Sequence, residues 1–317
     1  MPVRILFVTA TRIGDAVLSS GMLRWLIERQ QGARTTVVCG EVAASLFGAV
    51  PGLDEVIVLR KRRFDLHWLG LWSRLVRRRW DVAVDYRGGG LIWSVWRREG
   101  YVDWGRHPEL HRVDEMAAVV GASPTPAPRL WTRPEHDSRA AALIPPGRRV
   151  LALGPISNWP AKTWPAARFA ELATRLTAPG GALEGAAVAI AAMPHERAAL
   201  APVVAAVPKE RLIDLTHGGD LLDVYACFRR SSLFVGNDSG LMHMANAAGA
   251  PTLALFGPSD DRRFGPRGPI VAVVRTRESF RELIEAPGFD HRTSPSLMTS
   301  LAVDDVVAAA ARLVAAS

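Results

Sequence analysis

Three short segments of this 317-residue chain hold residues whose types and spacing could do chemistry. The first is Arg12-Ile13-Gly14-Asp15. Gly14 permits a tight turn. Asp15 could take a proton from a hydroxyl held within hydrogen-bond reach. The same carboxylate could instead cap a helix or face its dipole. The second runs from Gly154 to Pro165, GPISNWPAKTWP. Ser157 and Asn158 offer hydrogen bonds, and Lys162 offers a mobile cation. Of 39 basic residues only Lys61, Lys162 and Lys209 are lysine. A chain that otherwise writes Arg keeps a compact ammonium here, suited to a phosphate reached from a flexible loop. The third runs from Val235 to Pro258, VGNDSGLMHMANAAGAPTLALFGP. Free N–H groups behind Asp238-Ser239-Gly240 favour an anion such as a pyrophosphate. Asp238 would then accept hydrogen bonds from sugar hydroxyls beside it. The alternative is an ordinary cap, with Asp238 or Ser239 starting the helix and Gly249 ending it.

Each segment sits where a strand gives way to a helix. Val3 to Val8 reads as a strand, and Asp15 to Arg29 as a helix with Val17, Leu18, Leu23, Leu26 and Ile27 on one face. Residues 35–39, 55–59 and 81–85 read as further strands, with helices over 42–47 and 66–78. Proline is dense from Ser123 to Arg149, which reads as a linker region. Alternation then restarts, with strands over 149–153, 186–191, 233–236 and 252–256. Helices are expected over 165–177, 196–207, 220–228, 240–248 and 303–314. Strands alternating with helices imply parallel βαβ units, and the length implies two domains. We expect an N-terminal acceptor-binding domain over 1–145 and a C-terminal nucleotide-sugar-binding domain over 146–317.

Composition narrows the class. Apolar residues make up 49% and charged residues 22%, a globular balance, and the formal net charge is +8. That charge suits anionic partners. From Arg60 to Arg112 thirteen basic residues face six acidic ones, and six of the ten Trp lie there. Interleaved Arg and Trp suit an anionic membrane surface. Trp in the core and Arg on solvated faces is the other reading. Cys39 and Cys227 are far apart, which fits a reducing compartment and no disulfide framework or zinc site. Arg4, Arg12 and Asp15 interrupt what would be the apolar part of a signal peptide, so the start reads as a buried strand. No apolar run is long enough to span a bilayer. There is no G-x-G-x-x-G after the first strand, no Walker A sequence and no metal-ligand cluster, which argues against dinucleotide oxidoreductases and P-loop enzymes. The basic residues carry no nucleic-acid reading motif, so no nucleic acid is expected.

Together these segments resemble glycosyltransferase family 9, the ADP-heptose:lipopolysaccharide heptosyltransferases. The likeness rests on RIGDAVLSS, DYRGGGLIWS from Asp85 to Ser94, KTWPAARFAELA and NDSGLMHMANAAGAPTLALFGPSD. It implies a GT-B fold, with two Rossmann-like domains whose parallel sheets face across a cleft that holds the active site, and the last helix packed back toward the N-terminal domain. It further implies inversion at the anomeric carbon and no metal or other cofactor. By the resemblance, Asp15 is the catalytic base, and Arg12, Gly14 and Arg87 lie on the acceptor side. Lys162, Ser157 and Asn158 lie near the donor phosphates, Asp238, Ser239 and Gly240 form the donor turn, and Leu241, Met242 and His243 continue its wall. Glu196 matches an acidic residue that holds the ribose. Two departures stand out: Ser20-Gly21 replaces a proline common in the first helix, and 275–300 lacks a Cys-containing pattern.

The expected activity is heptosyl transfer from ADP-L-glycero-D-manno-heptose to a hydroxyl of inner-core lipopolysaccharide or a related anionic glycan. It would take place in the cytoplasm, with peripheral contact at the inner face of the membrane. A GT-B enzyme using another sugar nucleotide, an epimerase, and a non-catalytic nucleotide-sugar binding protein are the alternatives.

Overall fold

The computed structural model describes residues 2–60, 67–217 and 219–317. Residues 61–66 of the basic stretch, including the expected helix start at Leu66, lie outside the described residues, as does Met1. The chain divides into two units, Met1–Arg133 and Pro134–Ser317.

The first unit runs β1 (Arg4–Val8), α1 (Ile13–Arg29), β2 (Arg34–Gly40), a 3-10 turn (Glu41–Phe47), β3 (Leu53–Leu59), α2 (His67–Leu75), β4 (Trp80–Asp85), β5 (Arg97–Val102) and α3 (Arg112–Val120). Its five strands are ordered β3-β2-β1-β4-β5, and every pairing is parallel. In β1, Ile5, Leu6, Phe7 and Val8 are all fully buried, the unbroken apolar run expected of a strand covered on both faces. β5 has no such signal. Its sequence RREGYV carries charge and glycine, which an outermost strand tolerates.

α1 is buried well beyond one face, from Ala16 through Leu23. The Ser20-Gly21 departure explains part of this. A Cβ at Gly21 would sit 2.6 Å from the Pro126 carbonyl oxygen and 2.7 Å from that of Ala127. The Ser20 hydroxyl accepts the Arg129 N–H at 3.0 Å. The first part of the proline-dense region therefore packs on α1 and belongs to the first unit.

The second part is not a linker. It forms α4 (Pro134–Leu143), which opens the second unit. Pro134 occupies the first helical position, where its missing N–H is harmless, and Glu135 and Asp137 favour the positive end of the dipole. α4 is tied down by His136 Nε2 to Asp220 Oδ2 at 3.2 Å and Arg139 to Asp223 at 2.7 Å.

The second unit continues β6 (Val150–Gly154), α5 (Ala166–Thr177), β7 (Ala187–Ile190), α6 (Ala201–Ala205), β8 (Leu212–Asp214), α7 (Leu221–Phe228), β9 (Leu233–Asn237), α8 (Gly240–Ala247), β10 (Thr252–Phe256), α9 (Asp261–Phe264), β11 (Val271–Arg275), α10 (Phe280–Ile284) and α11 (Val303–Ala315). Its six parallel strands are ordered β11-β10-β9-β6-β7-β8. The helix expected over 196–207 is instead a 3-10 segment (Pro194–Leu200) followed by the short α6, because Pro202 lacks the N–H a continuous ladder needs. α11 packs on α5 and on β9, β10 and β11. Trp164, Phe169, Leu172, Val188 and Leu253 join Val306 and Leu313 of that helix in one core.

Both sheets reverse their winding once. In the first unit the chain leaves β1 toward β2 and leaves β4 toward β5, on the opposite side. In the second it leaves β6 toward β7 and β9 toward β10. At such a switch point the two outgoing loops part and open a crevice at the carboxyl ends of the strands.

Candidate active site

The sequence segments fall on these two switch points. In the first unit Val8 of β1 pairs with Asp85 of β4. The Arg12–Asp15 turn leaves β1, and the Arg87 loop leaves β4. α1 begins at Ile13, with Arg12 at the cap position and no side-chain cap. Asp15 therefore does not cap the helix; it lies in the first turn, half-buried. Its carboxylate has no hydrogen bond or ion pair with any described residue, and neither does the exposed Arg12 guanidinium. An unpaired carboxylate keeps its lone pairs open to a hydroxyl placed within hydrogen-bond reach.

The Arg87 loop is held by a residue that sequence reasoning passed over. Asp85 is fully buried, and its Oδ1 accepts the Arg87 N–H at 2.9 Å. Burial pushes its carboxyl above the ordinary value, against the pull of the Arg87 backbone and charge. Gly88 and Gly90 follow with φ of 68° and 64°, a left-handed geometry that glycine adopts freely. The Arg87 guanidinium stacks over Trp68 at 5.1 Å.

In the second unit Gly154 of β6 pairs with Gly236 of β9, and the Phe234 ring fills the space that a Cβ at either glycine would need, 2.8 and 2.7 Å away. The loop after β6 carries Ser157, Asn158 and Lys162. The loop after β9 carries Asp238, Ser239 and Gly240. Lys162 Nζ donates to Asp238 Oδ2 at 2.8 Å, with side-chain exposures of 12% and 8%. His243 Nε2 lies 3.8 Å from the other carboxylate oxygen. Burial raises the Asp238 carboxyl, but Lys162 and then His243 outweigh it and hold the group below the usual carboxylate value. The Ser157 hydroxyl donates to the Asp238 carbonyl at 3.1 Å, stitching the two loops together. Asn158 is exposed beside it. Lys162 is thus not the mobile loop cation expected. It ends a 3-10 turn (Pro160–Lys162), paired with Asp238 and lying 4.9 Å over the Trp159 ring.

α8 begins with Ser239 at the cap position, and no side chain caps it. The Ser239 hydroxyl is buried without a hydrogen-bond partner among the described residues. The ordinary-cap reading of Asp238 and Ser239 therefore fails, while Gly249 ends the helix as expected with φ of 78°. The first-turn N–H groups of Gly240, Leu241 and Met242 remain open to an anion. The Met242 side chain is fully buried, so it could face a ligand only through its backbone. Glu196 lies after β7, and its Oε2 accepts the Met193 N–H at 2.8 Å.

Two further residues shape this site and went unread in the sequence. Asn237 is fully buried; its Oδ1 accepts the Trp164 N–H at 3.0 Å and its Nδ2 donates to the Pro155 carbonyl at 2.7 Å. It locks the β6 loop to β9. Trp159 packs against His291 at 5.1 Å, which brings the 290s to the same loop. Among the described residues no group of three or more His, Cys, Asp or Glu could hold a metal ion.

Known proteins are similar to this chain in architecture and, more distantly, in sequence. The lipopolysaccharide heptosyltransferase 2 of Salmonella typhimurium is 24% identical over 315 residues, covering 86% of this chain and 88% of that protein. A glycosyltransferase family 9 structure from Veillonella parvula superposes with a TM-score of 0.79 at 20% identity, covering 99% of this chain and 98% of that one. The E. coli ADP-heptose lps heptosyltransferase II structure gives 0.76 at 21% identity, covering 99% of both. The fold is GT-B. The family model described as glycosyltransferase family 9 (heptosyltransferase) matches residues 76–285, more than half the chain, and the protein belongs to that family of glycosyltransferases.

Proposed function

We propose that this enzyme transfers heptose from ADP-heptose, with inversion, to a hydroxyl of a lipid-linked anionic glycan such as inner-core lipopolysaccharide. The second unit binds the donor. The open N–H groups at the start of α8 and the Lys162 ammonium meet the diphosphate, and Asp238 faces the sugar hydroxyls. Ser157, Asn158 and His243 complete that loop pair, and Glu196 holds the ribose. In the first unit Arg12, Gly14 and Arg87 line the acceptor side.

In the reaction the acceptor oxygen attacks the anomeric carbon while its proton passes to Asp15. The bond from that carbon to the diphosphate oxygen breaks, and its electron pair leaves with ADP. The growing negative charge is met by Lys162 and the α8 N–H groups, which act most strongly where charge develops. Those fixed donors fill the role a metal plays elsewhere, and no metal enters this reading. The enzyme would work in the cytoplasm, at the inner face of the membrane.

The observation that carries the proposal is the uncapped start of α8 beside the buried Lys162–Asp238 pair. The test is thermal unfolding against a panel of nucleotides. A ligand that binds the folded state raises Tm with the logarithm of its concentration above Kd. ADP and ADP-heptose should raise Tm, and Lys162→Ala should abolish the shift. A shift with UDP or GDP species alone would discard heptose. No shift with any of them would sink the donor site.

A further inference from the structure

Four of the six Trp between Arg60 and Arg112 are strongly exposed: Trp72 at 40%, Trp93 and Trp96 at 52%, and Trp104 at 53%. Only Trp80 is a core residue, at 2%, so the core reading of this stretch fails for most of its indoles. The exposed rings are linked by contacts around the outermost strand, β5. Trp72 Nε1 donates to the Ser94 carbonyl at 3.3 Å. A Cβ at Gly90 would lie 3.6 Å from Trp93 and 3.7 Å from Trp104. Trp80 N–H donates to the Trp96 carbonyl at 3.2 Å, holding Trp96 at the start of the same strand.

The cations of this region fall into two sets. Arg74 and Arg78 pair with Glu55, and Arg112 pairs with Asp103 and Glu115. These are spent on the fold. Half-buried Arg97 donates to the carbonyls of Ile92 and Val95 and stacks on Trp93 at 3.9 Å with no carboxylate partner among the described residues, and Arg79 stacks on Trp96 at 5.5 Å. Arg77, Arg98 and Arg106 are exposed and have no carboxylate partner among the described residues. Positive charge left unbalanced beside open indoles matches one chemistry. Indoles settle at the lipid headgroup level, and guanidinium attracts lipid phosphate.

We propose that the β5 edge of the first unit, through Trp93, Trp96 and Trp104 with Arg79, Arg97 and Arg98, docks on an anionic phospholipid surface. It rests on the functional reading only for its purpose, bringing the acceptor-side loop at Arg87 to a lipid-borne acceptor. The contact itself needs neither donor nor acceptor.

The test is flotation of the full chain with phosphatidylcholine vesicles, with and without phosphatidylglycerol, in the absence of nucleotide. The protein should float with anionic vesicles only, with a blue-shifted indole emission. Raising salt from about 0.1 M to about 1 M, which shortens the screening length from about 10 to about 3 Å, should release it. Trp93→Ser with Trp104→Ser should reduce the emission shift, leaving the part due to Trp96, and weaken binding. Arg79→Gln with Arg98→Gln should weaken binding by about tenfold or more. All four positions are exposed, and unchanged urea unfolding and far-ultraviolet circular dichroism of the unliganded variants would show that they fold. Equal recovery with neutral vesicles, no flotation, or unchanged binding by both variants would overturn the proposal. Full displacement by a soluble phosphorylated glycan would also overturn it, assigning the indoles to the acceptor. Loss of flotation with the ADP shift intact would remove this surface alone, and the converse would remove the donor site alone.

Discussion

The two switch points have the same topology and opposite electrostatics. At the first, Asp15 is half-buried and unpartnered, and the buried acid nearby, Asp85, is held above its ordinary pKa. At the second, Asp238 is buried, bonded to Lys162, and held below its ordinary pKa. One edge keeps a carboxylate without a partner among the described residues. The other spends a carboxylate on fixing a cation next to an uncapped helix. A fold that repeats itself has thus been given two different tasks by the residues at its loops.

The sharpest way to break this comparison is to remove the free carboxylate. Asp15→Ala or Asp15→Asn should lower kcat by about 10²–10⁴-fold. The ADP-induced Tm shift should not change, because the group belongs to the first unit and the donor loops to the second. Turnover retained in either variant would take the base assignment away from Asp15.

The paired edge should respond in stability as well as in binding. Lys162→Ala leaves the Asp238 carboxylate buried without its ammonium partner, and breaking a buried pair in this way costs about 3–5 kcal/mol. Urea unfolding would measure it. Replacing both partners, Lys162→Met with Asp238→Leu, should restore most of that stability and still fail to bind ADP. If the double variant bound donor normally, the pair would be a packing feature and not a phosphate site.

Gly21→Ala separates the units. Its Cβ would meet the carbonyls of Pro126 and Ala127, backbone atoms that cannot rotate away. Overpacking of this kind costs about 1–3 kcal/mol. The cost should fall on the first unit and leave the ADP response of the second intact. An equal loss of ADP binding would mean that the two edges are not independent.

Most of the fold was legible because most of it is written as buried apolar runs. β1, β6, β9 and β10 each alternate with a helix whose face is apolar, and each lies within a residue or two of its expected place. β5, β8 and β11 were missed for a common physical reason. They lie at or beside sheet edges, where one side needs no covering and charge or shortness is tolerated. α4 was hidden by proline, whose cost depends on position: at the first helical turn it has none. The site was legible in residue type but not in partnership. The sequence places Lys162 and Asp238 on separate loops, and only the β6–β9 pairing makes them neighbours. Asn237 and Asp85 were invisible because a buried polar residue reads like any loop polar until its hydrogen bonds are seen.

The smallest expected effect tests the electrostatic contrast directly. Asp238 has a depressed folded pKa, so its ionised form contributes stability at pH values above its unfolded value near 3.8. That contribution is lost as pH falls below 3.8 through the lower folded value. Asp85 has a raised folded pKa, so its ionised form opposes folding. Its penalty grows as pH rises from 3.8 through the higher folded value, and is complete above it. Asp85→Asn keeps an oxygen for the Arg87 N–H and removes the charge. It should therefore stabilise the protein near neutral pH and leave stability below pH 3.8 nearly unchanged. Asp238→Asn should do the reverse, destabilising near neutral pH and flattening the acid limb. Urea unfolding of both variants across this range would show slopes that change in opposite directions. Slopes that change in the same direction would mean that the two buried acids sit in equivalent environments, and the division of labour between the switch points would have to be sought outside their charges.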